Sequence, residues 1–99
     1  MFYAIIGQDA ENSGALRAQT RTRHLSRLEQ LRDEGRLIIA GPCPAIDSPD
    51  PGPAGFTGSI VVAEFDSLKE AERWAAKDPY LESGAYESVV VKPFKLVLP

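Results

Sequence analysis

The sequence predicts an α+β fold, with a four-stranded antiparallel sheet carrying two helices on one of its faces. Three observations predict it. Four short runs rich in β-branched and aromatic residues alternate with two helical segments, in the order β-α-β-β-α-β. Each helical segment has apolar residues at helical spacing, so each has one face to bury. At 99 residues the chain has room for one domain, spanning 1–99, and for one such pair of layers. The economical packing of these elements is the ferredoxin-like one.

The first strand is expected over residues 2–7, Phe-Tyr-Ala-Ile-Ile-Gly, a mostly apolar run that Gly7 ends. A polar loop follows to Gly14. From about Leu16 to Glu34 there is neither Pro nor Gly, and Leu25, Leu28 and Leu31 recur at helical spacing before Gly35 stops the run. Residues 37–41 make a second apolar strand. The stretch 42–55 then holds five prolines and two glycines, which reads as a long loop and neither helix nor central strand. A third strand is expected over 58–65. Ser67-Leu-Lys-Glu70 fits a capping box, in which each side chain satisfies a backbone N–H near the other. The second helix runs to about Lys77 with Leu68, Ala71 and Ala75 inward, and Asp78-Pro79 ends it. Pro79 then opens a short turn that Asp78 can cap. The fourth strand is expected over 86–97, broken or bulged at Pro93.

Composition excludes several function classes. A formal net charge of −3 argues against nucleic acid, because phosphate binding relies on clustered Lys and Arg. No apolar run is long enough to span a membrane, and the N-terminus lacks the charged and apolar regions of a signal peptide. The single cysteine, Cys43, can form no internal disulfide, which suits a reducing compartment. A cytoplasmic location is the expectation. One His and one Cys, with acidic residues at no ligand spacing, give no metal site, and nothing in the sequence implies a cofactor. The strands are apolar on consecutive positions, as at Ile5-Ile6 and Val89 to Val91. A sheet face left bare by the helices therefore needs a cover, and a second copy of the chain is the simplest one.

The first helix carries charge where apolar residues are expected. With His24 set at 0° and about 100° per residue, the leucines centre the buried stripe near 40°. His24 lies about 40° from that centre, and Arg17 and Arg21 each about 20° from it. An unpaired arginine in an apolar core costs several kcal/mol. Either this half of the helix overhangs the domain edge with solvated heads, or it lines a polar cleft. In a cleft, Arg21 and His24 would set a fixed positive charge beside a titratable group, a pair suited to a small anionic ligand. Asp78 has two readings as well: a cap for the Pro79 turn, or the partner that fixes the imidazole tautomer of His24.

Several short motifs occur together and in order: Arg21-x-x-His24-Leu25, Gly35-x-Leu37, Ala40-Gly41-Pro42, Gly55-x-x-Gly58, Asp78-Pro79-Tyr80 and Lys92-Pro93-Phe94. Along essentially the whole chain the pattern resembles the YCII-related (YciI-like) family. The resemblance implies a dimeric α+β barrel built from ferredoxin-like protomers, and an active site around a histidine–aspartate pair that falls on His24 and Asp78. Around that pair the expected substrate-binding residues are Arg21, Tyr80, Gly41 and Pro42. Tyr80 can instead be an aromatic packed under the Pro79 turn. The departure from many relatives at Gly84-Ala85-Tyr86 concerns the pocket lining near residue 85, not the pair.

Two function classes remain. In the first, the chain is a small-molecule enzyme of lyase, isomerase or hydrolase type: His24 moves a proton, Asp78 orients it, Arg21 holds an anionic group and the loop 42–55 closes over the site. A variant with His24 as nucleophile lacks a phosphate cradle. In the second class the chain is a non-catalytic dimeric binding or accessory protein. Cys43 reads as a small semi-buried side chain, and Trp74 as core or interface.

Overall fold

A computed structural model describes residues 1–99. The elements are β1 (Phe2–Asp9), α1 (Gly14–Asp33), β2 (Leu37–Pro44), β3 (Phe56–Glu64), α2 (Leu68–Ala76), α3 (Pro79–Ser83) and β4 (Tyr86–Phe94), with a single 3-10 turn at Gly52–Ala54. The strands form one antiparallel sheet in the order β2-β3-β1-β4, the ferredoxin-like α+β arrangement, with the helices on one face. Alternation explains which side is covered. Tyr3 and Ile5 of β1 meet Ala63 and Val61 of β3. These four pack beneath Leu28 and Leu31 of α1 and Ala71 and Ala75 of α2, with Phe65 completing the core.

Local chemistry sets the ends. Ser67 accepts a hydrogen bond from the Glu70 backbone N–H at 3.1 Å, as a helix N-cap should. The reciprocal half of the expected capping box is not formed; the Glu70 carboxylate pairs with Arg73 instead. Asp78 caps α3, its side chain accepting from the Tyr80 N–H at 2.9 Å, with Pro79 in the first turn.

Several strand boundaries differ from expectation, two of them at prolines. β2 continues through Pro42 and Pro44, where a loop was expected, because β2 is an edge strand and proline is tolerated there. Pro93 does not break β4: it stays in register opposite Tyr3, on another edge strand, and the strand ends at Phe94. The irregularity lies at the other end, where register shifts between Gln8 and Asp9 of β1. A Cβ at Gly7 would stand 2.6 Å from the Tyr86 ring, so the ring rests directly on its backbone.

The face away from the helices is apolar. Ile6 pairs with Ile60 on one side and Val90 on the other, each at least 40% exposed, with Ile39 and Phe94 also open to solvent. No helix is long and apolar enough to cross a membrane.

Candidate active site

The buried stripe of α1 consists of Arg17, Thr20, His24, Leu28 and Leu31. At about 100° per residue it centres on His24 itself, not 40° away. Leu25 had pulled the expected centre sideways, and it is only half-buried. The same shift moves Arg21 to the margin: it is exposed, where an inward position was expected. Thr20 satisfies its hydroxyl within the helix, on the Leu16 carbonyl.

His24 is buried and its Nδ1 lies 2.9 Å from Oδ1 of Asp78, itself buried. That oxygen also accepts from the Tyr80 N–H. An ionised carboxylate only accepts, so Nδ1 of a neutral His24 must carry the proton, and Nε2 keeps its lone pair. Nε2 has no protein partner and is not sealed from solvent. The imidazole lies flat on the Tyr80 ring, with centroids 3.9 Å apart and planes 12° from parallel. The Tyr86 ring meets its edge at 6.2 Å. Both tyrosine hydroxyls are pushed up, chiefly by burial; for Tyr80 the charges of Arg17 and then Arg21 act against that push.

Beside this pair is a second buried constellation that sequence reasoning missed. Arg17 grips Asp9 through two nitrogens, Nε to Oδ2 at 2.6 Å and Nη2 to Oδ1 at 2.8 Å. Nη2 also donates to the Gly58 carbonyl at 2.9 Å and to Ser59 Oγ at 3.0 Å. Ser13 donates to Asp9 in turn. Burial alone would lower the Arg17 pKa, yet its hydrogen bond to Asp9 and that carboxylate's charge hold it above the ordinary value. The helical position of Arg17 signalled an inward charge. Nothing in the sequence named Asp9 as its partner, because the first strand was expected to end two residues earlier.

Arg17, Arg21, His24, Gly41, Pro42, Ser59 and Tyr80 line one pocket of about 140 Å³. It therefore brings together every expected binding residue, with Asp78 directly behind His24. The expected closing loop does not join them. Of residues 42–55 only Pro42 reaches this pocket, while Ala45 and Pro53 to Gly55 line a separate groove against the turn after β1. A larger groove, about 640 Å³, lies between Arg27, Arg36 and Trp74. Its three arginines already have partners: Arg36 pairs with Glu34, Arg73 with Glu70, and Arg27 donates to the Trp74 carbonyl while stacking on its ring. The smaller pocket holds a free imidazole nitrogen, so it is the better candidate. No group of three or more His, Cys, Asp or Glu side chains is placed to hold a metal ion.

Comparison with known proteins agrees with this architecture. The chain is 58% identical over 97 residues to Protein YciI of Escherichia coli, covering 98% of this chain and 99% of the relative. It is 54% identical, with the same coverage, to an uncharacterised protein of Haemophilus influenzae. Among solved structures it resembles 5-chloro-2-hydroxyhydroquinone dehydrochlorinase from Burkholderia phenoliruptrix AC1100, in complex with 2,5-dihydroxybenzoquinone. The TM-score is 0.82, with 24% identity, 96% of this chain covered and 94% of the other, a likeness of fold. The YCII-related domain model matches residues 1–95, and with relatives this similar from end to end, the chain belongs to the YCII-related family.

Proposed function

We propose that this protein is a small-molecule enzyme of lyase, isomerase or hydrolase type in which His24 acts as general acid/base through Nε2. The observation that carries the reading is the 2.9 Å contact between His24 Nδ1 and Asp78, made in buried surroundings with Nε2 left free at a pocket. Asp78 fixes the tautomer and steadies the imidazolium once a proton arrives. Tyr80 holds the ring plane. Arg21 steadies negative charge on the substrate, and Gly41 and Pro42 form the rim. Such proton transfer typically contributes about 10²–10⁴ in rate. The neighbour named a dehydrochlorinase supports the class, since loss of hydrogen chloride begins or ends with a proton transfer.

The apolar row Ile60–Ile6–Val90 supports a homodimer closed across the open sheet face. Its free Cys43 suits a reducing, cytoplasmic setting.

A second reading rests on Asp78, which caps α3 while it holds His24 of α1, and so also ties two helices together. A purely structural pair in a binding protein would look similar. The two readings separate in deuterium oxide. Small enolisable acids and phenols are incubated with wild type and His24→Gln, and loss of the acidic C–H signal is followed by proton NMR. The enzyme reading expects catalysed exchange in wild type and a fall of about 10²-fold or more in a folded His24→Gln. Equal exchange in both proteins leaves the binding module as the better account.

A further inference from the structure

Arg17 looks structural, yet one of its nitrogens is left over. Nε and Nη2 are consumed by Asp9, the Gly58 carbonyl and Ser59. Nη1 makes none of these bonds and is not closed off as Nη1 of Arg27 is; the Tyr80 hydroxyl is the one protein group left near enough to the guanidinium to accept from it. The guanidinium is held against the rings of Tyr80, Phe56 and Tyr86, whose centroids lie 5.0, 5.2 and 5.8 Å from Cζ. It cannot swing away without abandoning the Asp9 grip, so Nη1 is a donor fixed in advance. Arg17 and Arg21 line the same pocket as His24 and Tyr80.

Charge counting narrows what that donor can serve. Asp9 matches Arg17. Asp78 stands behind the pocket, held by His24 Nδ1 and the Tyr80 N–H. Of the two arginines lining the pocket, only Arg21 has no carboxylate partner. The Tyr80 hydroxyl lies where the fields of Arg17 and Arg21 both favour negative charge. A volume of about 140 Å³ is close to that of an engineered cavity which holds one benzene ring.

We propose that Arg17 Nη1 and the Arg21 guanidinium form the anion-binding arm of this pocket, and that its ligand is a small monoanion no larger than one six-membered ring, a carboxylate or a phenolate or enolate oxygen. The inference rests on the His24 pocket being the functional site, and it does not require that His24 catalyse anything. A neutral molecule leaves Arg21 and Nη1 unanswered, and a dianion brings one charge more than the pocket balances.

The test uses three probes of one size and the full chain at low salt: benzoate, neutral benzamide and dianionic phenyl phosphate, titrated by amide chemical-shift mapping. A hydrogen bond to a charged group is worth enough that benzoate should bind about tenfold tighter than benzamide. The shifts should centre on residues 17, 21, 24 and 80, and phenyl phosphate should bind no tighter than benzoate. Arg21→Gln, at an exposed position, should bring benzoate down to the level of benzamide. Arg17→Met leaves Asp9 unpaired, so the Asp9→Leu/Arg17→Met double variant keeps the buried site neutral, and there too the preference for benzoate should vanish. Benzamide binding as well as benzoate, phenyl phosphate binding tenfold tighter, no benzoate binding, or shifts centred elsewhere would each overturn the proposal. If benzoate preference holds while His24→Gln leaves proton exchange unchanged, catalysis fails and the anion arm stands. If exchange depends on His24 but benzoate has no advantage, only the anion arm fails.

Discussion

The two halves of α1 present one continuous stripe and use it in opposite ways. Leu28 and Leu31 press onto Tyr3, Ile5 and Val61, where stability depends on volume and fit. One to three turns earlier, His24, Thr20 and Arg17 are as deeply buried, and every one of them needs a specific partner. Thr20 finds its partner within the helix, whereas those of Arg17 and His24 come from distant elements: Asp9 from the end of β1, Asp78 from the cap of α3. A place on the inward face of a helix therefore does not decide between apolar and polar. What decides is whether a neighbouring element brings a matching group, and on this stripe Arg17 and His24 each have one while His24 Nε2 stays free at the pocket.

The sharpest way to break that contrast is to remove one member of the buried pair. Arg17→Met should cost about 3–5 kcal/mol in urea unfolding, because it strands the Asp9 carboxylate. The Asp9→Leu/Arg17→Met double variant should recover much of that loss, and a loss as large as the single variant's would contradict the pairing account. In the apolar half, Leu31→Ala should cost about 3 kcal/mol through the cavity it opens, yet leave ligand shifts at the pocket unchanged. Altered shifts there would mean the halves are not separable. Asp78→Ala should cost about 2 kcal/mol, from the lost α3 cap and the unpaired Nδ1–H together, read from the same urea series.

The smallest effect concerns pH. Burial raises the Tyr86 hydroxyl pKa above the ordinary value, so the folded chain holds this proton more tightly than the unfolded one. The stabilisation is complete below the ordinary tyrosine value of about 10 and is lost as pH rises beyond it. Urea midpoints should therefore fall more steeply above about pH 10 in wild type than in Tyr86→Phe. Parallel curves would show that Tyr86 does not contribute.

Much of this was legible in the sequence, for physical reasons that can be named. Strand runs, the Pro- and Gly-free helix and Asp78-Pro79 are local signals, and they give the element order and the α3 cap. His24 and Asp78 were recognisable from residues that co-occur along the chain, and the fold brings them to 2.9 Å. What escaped depends on tertiary placement. Whether Pro42 and Pro44 sit in a strand turns on β2 being an edge, which one strand cannot reveal about itself. Arg21 was placed inward because three leucines define a stripe only to within a few tens of degrees. Asp9 gave no signal, since a carboxylate after an apolar run reads as the start of a loop until an arginine is found above it. Tyr86 needed Gly7 beneath its ring, a contact across 79 residues of chain.

The central claim is that Asp78 fixes His24 as the Nδ1–H tautomer, leaving Nε2 as the base. Long-range proton–nitrogen correlation NMR on ¹⁵N-labelled protein at neutral pH measures this directly. The account predicts a protonated Nδ1 and an unprotonated Nε2 at His24. A His24 found as the Nε2–H tautomer, with Nδ1 bare toward Asp78, would contradict it.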